Sequence, residues 1–222
     1  NPLVFRTSCT SNGISTLPYY ETFSSTTNLG GSMFDVFVPC WTRLQSDWSH
    51  RAYVNTEDFG NNCLDFHYTP NCYTIATMPM FSPDVPVNSL MVNLNVRRQD
   101  LSSGPLELGA MVDPNDASTF ETIATIPVSS TYVWENHTVY CNGYNGNGQY
   151  LAFRVNNGGN NSVIIDNVLV DLLPNCMPVS DITVTDISTN SCTLTWDAFS
   201  YESFYVYLTG ASTVSRPMTC CR

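Results

Sequence analysis

The sequence predicts an all-β protein, a two-sheet antiparallel jelly-roll sandwich followed by a short second β module. Apolar and polar residues alternate at the period of a strand, clusters of turn formers separate the alternating runs, and no stretch sustains the apolar repeat of a helix. In residues 90–96, Leu90, Val92, Leu94 and Val96 fall on one face, and Met91, Asn93 and Asn95 on the other. Residues 106–112 repeat this, with Leu106, Leu108, Ala110 and Val112 set against Glu107, Gly109 and Met111. Leu151, Phe153 and Val155 give a third run.

Between the runs lie Ser103-Gly104-Pro105, Asp113-Pro114-Asn115-Asp116, Asn142 to Gly148 and Asn156 to Asn161, all rich in residues that close turns. About ten strands between residues 17 and 172 suit a jelly roll better than a seven-stranded sandwich. Trp41, entering a strand after Pro39-Cys40, is large enough to anchor the space between two sheets. At Leu173-Pro174-Asn175-Cys176-Met177-Pro178 two prolines interrupt pairing, and the composition resets. The expected organisation is a lead-in over 1–16, the jelly roll over 17–172, a linker over 173–178 and the second module over 179–222. That module offers three strand-like segments where a sandwich needs about seven, so it is expected to be incomplete.

Composition narrows the partners. The 222 residues contain 43% hydrophobic and only 12% charged side chains, with a formal net charge of -11. Lysine is absent, and all eight basic residues are arginine. No basic stripe exists to replace phosphate counterions, which excludes a nucleic-acid partner and disfavours an anionic membrane surface. No apolar run is long enough to insert across a bilayer. Nine cysteines without a C-x-x-C spacing read as structural disulfides of an oxidising compartment, with buried thiols as the alternative. The chain starts at Asn1 without an initiator methionine and reads as a processed piece of something longer.

Catalytic signatures are missing. The three histidines, His50, His67 and His137, form no H-E-x-x-H or H-x-H pattern, and no G-x-S-x-G elbow occurs. Glu57, Asp58, Glu107 and Glu121 offer carboxylates for a glycosidase pair, but solvated strand faces are their commoner home. The tract Asn142 to Gly148 has no lysine and no following helix, so it is a turn and no phosphate cradle. Trp48, flanked by Asp47 and close to His50 in a polar stretch, is a candidate ligand-binding patch with His50, because an exposed indole stacks on a sugar ring. Packing beneath a loop is the commoner fate of such a ring.

Four ordered segments resemble the cleaved-adhesin and choice-of-anchor J domains of bacterial surface proteins, relatives of the MAM jelly rolls: LPYYETF at 17–23, VPCWTRLQ at 38–45, LELGAMVDPNDASTFETIATI at 106–126, and YLAFRV with VIIDNVLVD at 150–155 and 163–171. PVSDITVTDISTNSCTLTWD at 178–197 looks like the first two strands of a fibronectin type III domain. The resemblance implies a non-catalytic adhesion or recognition module of a larger extracellular or cell-surface protein. Its partners would be a host or matrix protein, or a glycan if the module is instead a carbohydrate-binding accessory to a secreted hydrolase or peptidase, together with other domains of the parent chain. It also implies a structural calcium ion, for which Glu21, Asp47, Asp166 and Asn167 are the matching positions. Ser24 and Asn167 stand where the family has acids, so the site is expected to be weak or lost. For disulfides, the expected pairs are Cys9 with Cys176, flanking the jelly roll, and Cys63 with Cys72, closing a local loop.

Overall fold

The computed structural model describes residues 13–24, 36–47, 51–57, 61–67, 71–99, 104–129, 131–156, 162–175, 180–189 and 192–197. The chain divides into two compact units, 1–172 and 173–222. The first contains β1 (Tyr19–Glu21), β2 (Thr42–Gln45), β3 (Ala52–Glu57), β4 (Asn61–Phe66), β5 (Tyr73–Thr77), β6 (Leu90–Arg98), β7 (Leu106–Met111), β8 (Glu121–Ile126), β9 (Glu135–Tyr140), β10 (Tyr150–Asn156) and β11 (Val163–Leu172). They form two antiparallel sheets. One has the order β3-β4-β11-β6-β9, with β1 also paired to β11; the other is β2-β5-β10-β7-β8. This is the expected jelly-roll sandwich.

The alternation read from the sequence sets which side chains fill the space between the sheets. Leu90, Val92, Leu94 and Val96 from β6, Leu106, Leu108 and Ala110 from β7, and Leu151, Phe153 and Val155 from β10 are all fully buried in one cluster. A fully buried Leu, Val or Phe contributes roughly 1.5–3 kcal/mol. Val112 departs from expectation: β7 ends at Met111, and Val112 is 57% exposed where the chain enters the Asp113 turn. In that turn the Asn115 amide donates to Asp113 Oδ1 at 2.8 Å, and Asp116 caps a short 3-10 turn through the Ser118 amide at 2.9 Å.

Trp41 occupies the inter-sheet space as expected, 7% exposed. It stacks on Phe153 with ring centroids 6.5 Å apart and meets Phe23 edge-on at 5.9 Å. Its indole N–H donates to the Tyr19 hydroxyl at 2.8 Å, so the buried donor is satisfied. At the sandwich margin, Arg43 Nη1 donates to the Ala52 carbonyl at 2.6 Å and the Ala52 amide donates to Thr74 Oγ1 at 3.0 Å, tying β2 and β5 of one sheet to β3 of the other. Part of the lead-in joins the core: Ile14 donates to the Met80 carbonyl at 2.7 Å and is 6% exposed.

A second, smaller apolar cluster lies on the outward face of the five-stranded sheet, made of Ile75, Met111, Phe120 and Ala152, with Leu44, Tyr73 and Tyr150 packed against it. Phe120 folds back across Gly109, where an added Cβ would approach its ring to 2.5 Å. Arg154 then lies over the Phe120 ring at 4.0 Å while its Nε holds Glu107 at 2.8 Å.

The expected Cys63–Cys72 bridge does not form. Cys63 lies on β4 with its side chain on the outward face, opposite to Leu64 and Phe66, and its thiol approaches the Asn55 carbonyl at 3.6 Å; Cys72 leads into β5 of the other sheet. Cys40 is disulfide-bonded. Cys9 and Cys176 lie outside the described residues. In the second unit, β12 (Ser180–Thr185) and β13 (Thr193–Asp197) pair antiparallel, with the Thr183 and Thr195 hydroxyls hydrogen-bonded across the pair and Val184 50% exposed.

Cys141 sits in the main core, and burial pushes its thiol up to about 12. A folded-state value above the unfolded one means that the neutral thiol stabilises the fold fully below about pH 9, and this contribution fades as pH climbs towards the folded value. Cys192 is exposed. Iodoacetamide at pH 8, mapped by mass spectrometry, is expected to label Cys192 at least about a hundredfold faster than Cys141 in the native protein, with the difference vanishing in urea. Comparable native rates would place Cys141 outside the core.

Candidate functional site

The four positions implied for calcium are only partly brought together. The β1–β11 register sets Glu21 opposite Val168, just beyond Asp166 and Asn167. At that point β11 carries a bulge between Asp166 and Leu169, with Asn167 at a φ of 53°, a left-handed conformation that asparagine tolerates better than most residues. Each of the three accepts a hydrogen bond, locally for Glu21 and Asp166 and across the β1–β11 pair for Asn167. Glu21 Oε1 accepts from the Phe23 amide at 2.7 Å, Asp166 Oδ1 from the Asn167 amide at 2.6 Å, and Asn167 Oδ1 from the Tyr20 hydroxyl at 2.7 Å. Asp47 lies just past the far end of β2, beside Cys72, whose thiol is raised first by burial and then by the Asp47 charge. Three oxygen-bearing side chains thus share a neighbourhood and Asp47 does not join them. Among the described residues no three His, Cys, Asp or Glu side chains cluster in a metal-binding arrangement. Trp48 and His50 lie outside the described residues.

The other singled-out groups have structural partners. His67 Nδ1 is 3.2 Å from Ser162 Oγ, and its ring meets Tyr53 edge-on at 5.8 Å. His137 Nε2 is 3.5 Å from Glu135. Glu107 holds Arg154 and accepts from the Thr122 hydroxyl at 3.1 Å. Asp58 lies outside the described residues, and of Glu57 only the backbone, at the end of β3, is described.

A cleft of about 330 Å³ opens at the margin of the sandwich, where β8, an edge strand of the five-stranded sheet, comes close to the end of β9, an edge strand of the other. Glu121, Thr122 and Ile123 line it from β8; Tyr140, Gly143, Tyr144, Asn145 and Gly146 line it from the end of β9 and the connection to β10. A 3-10 turn at Cys141–Gly143 starts that connection, and the Tyr144 amide closes it onto the Cys141 carbonyl at 2.9 Å. Tyr144 is the organising residue. Its hydroxyl donates to Glu121 Oε2 at 2.8 Å and accepts from the Gly148 amide at 2.8 Å. Burial first, and then the hydrogen bond to Glu121, hold its phenol above the ordinary tyrosine value, although the Gly148 amide pulls the other way. The phenol therefore keeps its proton near neutrality and donates to the carboxylate.

Gly146 must be glycine for this arrangement, since a Cβ there would come within 2.0 Å of Glu121 Oε2 and 2.3 Å of the Tyr144 hydroxyl. The cleft therefore presents a fixed carboxylate, tyrosine rings, an amide and a hydroxyl. These groups can bind by hydrogen bonding, ring contact and charge. In the sequence, Glu121 is marked only as a carboxylate and Asn142 to Gly148 as a turn; Tyr140 and Tyr144, flanking the start of that turn, are the available signal.

No protein-family model matches the sequence, and no curated protein matches it. Solved structures do. The K1 cleaved adhesin domain of Lys-gingipain from Porphyromonas gingivalis W83 is 16% identical, with a TM-score of 0.51, over 72% of this chain and 100% of that one. The K2 cleaved adhesin domain of Lys-gingipain is 15% identical, with a TM-score of 0.53, over 70% of this chain and 100% of that one. The K3 domain is 15% identical at a TM-score of 0.51, over 69% and 96%. The likeness establishes an adhesin-like β-sandwich fold.

Tyr144→Phe would remove the acceptor of the Gly148 amide and the donor to Glu121 together. Leaving a buried amide unsatisfied costs about 1–3 kcal/mol, so the variant is expected to lose that much in urea denaturation of the full chain. An unchanged midpoint would mean that the hydroxyl does not organise the connection.

Proposed function

We propose that the chain is a non-catalytic extracellular recognition module of a larger secreted or surface protein, and that it engages a host or matrix protein. The observation that carries this reading is the cleft, whose one carboxylate is held by a phenol and whose other groups are suited to contact. The adhesin-like fold agrees with it, and so does a lysine-free, acidic composition unsuited to nucleic acid. Among the described residues no helix is long and apolar enough to cross a membrane.

Glycan binding is the second reading, favoured by Tyr140, Asn145 and Glu121 meeting in one cleft. A sugar platform, however, wants two or three coplanar exposed rings. The exposed rings described are Tyr20, on β1 and level with Asn93 of β6, and Tyr132, whose amide donates to the Arg98 carbonyl five residues further along β6. Trp48 and His50, which the sequence offers as a candidate ligand-binding patch, stay part of the proposal. A matrix-protein and glycan array probed with the full chain is expected to return a protein ligand. Hits confined to glycans would replace the first reading with the second.

We further propose that Glu21, Asp166 and Asn167 form a weak structural Ca²⁺ site. Their donor chemistry fits a hard cation, but three side chains fall short of the six to eight oxygens that Ca²⁺ takes, so backbone carbonyls and water would have to supply the rest. Bound only by the native state, the ion would stabilise it by mass action. Melting the protein in millimolar Ca²⁺ and in chelator is expected to give a difference of no more than a few degrees, abolished by Asp166→Ala. A larger shift would show a tighter site than these donors provide, and none at all would remove the proposal.

A further inference from the structure

Three features meet at one margin of the sandwich. The first is the outer edge of β8. In the order β2-β5-β10-β7-β8 this strand pairs with β7 on one side, and no described strand pairs with the other. Edge strands in soluble proteins are usually blunted by lysine, proline or an inward charge. In β8 the charge and the proline stand at the two ends, Glu121 opposite the inward-facing Ala110 and Pro127 just past Ile126; the stretch between them reads Thr-Ile-Ala-Thr-Ile, with Thr122 and Thr125 exposed. The bulge in the β7–β8 register between Leu108 and Gly109 bends β8 near Thr122, so the continuous free edge runs from there to Ile126.

The second is the cleft, which runs against that same edge, since three consecutive β8 residues, Glu121, Thr122 and Ile123, line it. The third is charge. The cleft contains Glu121 and no basic residue, and the whole chain carries -11 with no lysine. Glu121 is presented by Tyr144 through one carboxylate oxygen, and two tyrosine rings border the same cleft. A carboxylate with adjacent rings favours a cation over a neutral hydroxyl or an anion.

We infer that β8 and the adjoining cleft take an extended cationic peptide segment of the partner protein, which adds to the five-stranded sheet as a sixth strand and sets an arginine or lysine side chain against Glu121. Main-chain hydrogen bonds to the β8 edge give the affinity, and the cleft selects the side chain. Because side chains of an added strand alternate between faces, one cationic residue reaches the cleft while its neighbours lie over the sheet margin. This rests on the protein-binding reading and deepens it by naming the chemistry of the partner segment.

The test uses the full chain and fluorescein-labelled peptides, read by anisotropy at low salt. The first probe is acetyl-Gly-Thr-Val-Arg-Val-Thr-Val-Arg-Gly-amide, and the second has both arginines replaced by glutamate. Two more carry N-methyl groups on one or the other set of alternate residues. The expected result is binding of the arginine peptide, none of the glutamate peptide, and loss of binding for one of the two N-methylated peptides. Glu121→Gln, which keeps a neutral acceptor for Tyr144, is expected to weaken the arginine peptide roughly tenfold while lowering the melting temperature by no more than about a few degrees. Amide hydrogen exchange is expected to slow at alternate positions of β8 on binding.

Absence of binding by the arginine peptide overturns the inference. So does binding that is indifferent to Glu121→Gln, or binding that tolerates both N-methylated sets. If the array returns a protein ligand while the peptides fail in this way, the inference falls and the protein-binding reading stands; if it returns only glycans, both fall.

Discussion

The space between the two sheets has to be filled by something wide, and Trp41 fills it. The indole brings a buried N–H with it, which must find an acceptor, and the Tyr19 hydroxyl at 2.8 Å is that acceptor. This ties β1 to the point where the chain enters β2, and the pairing of β1 with β11 carries the tie into the six-stranded sheet. Phe153 and Phe23 complete the setting, one stacked and one edge-on. The positions of Glu21, Asp166 and Asn167 are consequences of the same arrangement, since the β1–β11 register is what places them beside one another.

The inward faces were legible because one side of each strand is dry. Leu90, Val92, Leu94 and Val96 repeat at period two and are all fully buried, as are Leu151, Phe153 and Val155. Alternation says less about outward faces, which it marks as solvated by default. Met91, Asn93 and Asn95 obey, and Asn93 and Asn136 exchange amide hydrogen bonds on that face. Ile75, Ala152 and Met111 point outward too, yet are fully buried because Phe120 and its neighbours cover them. Nothing in a single strand announces that a loop will fold back over it. The best hint was Gly109, a residue with no side chain in the middle of a strand, which is where another group approaches closely.

Site residues were legible to a smaller degree, for a related reason. Strand register fixes neighbours within a sheet, so the Glu21, Asp166 and Asn167 grouping followed once β1 paired with β11. Asp47 is grouped with them only by the family motif. It stands past the end of β2 next to Cys72, where no pairing brings it back. Cys63 and Cys72 fail as a pair in the same way: nine positions apart in sequence, they belong to different sheets, and Cys63 faces away from the space between them. The cleft residues were the hardest to find. Tyr144 is defined by its contacts with Glu121, 23 positions earlier, and with Gly148, and a glycine- and asparagine-rich connection reads as a turn whatever it encloses.

The β9–β10 connection also explains why an acidic chain keeps a carboxylate at a sheet edge. An isolated Glu121 at the start of β8 would be a solvated charge of little consequence, free to swing through its rotamers. Tyr144 removes that freedom with one short hydrogen bond, and the Gly148 amide fixes Tyr144 in turn, so the order in which the groups are pinned runs from backbone to phenol to carboxylate. A carboxylate held this way has less rotamer entropy left to lose on meeting a partner, and that saving is the usual origin of affinity in a preorganised site. Gly146 is the condition for it, because any larger residue would occupy the space where the phenol and the carboxylate meet. A turn rich in glycine is therefore what lets an edge strand present one charge in one orientation.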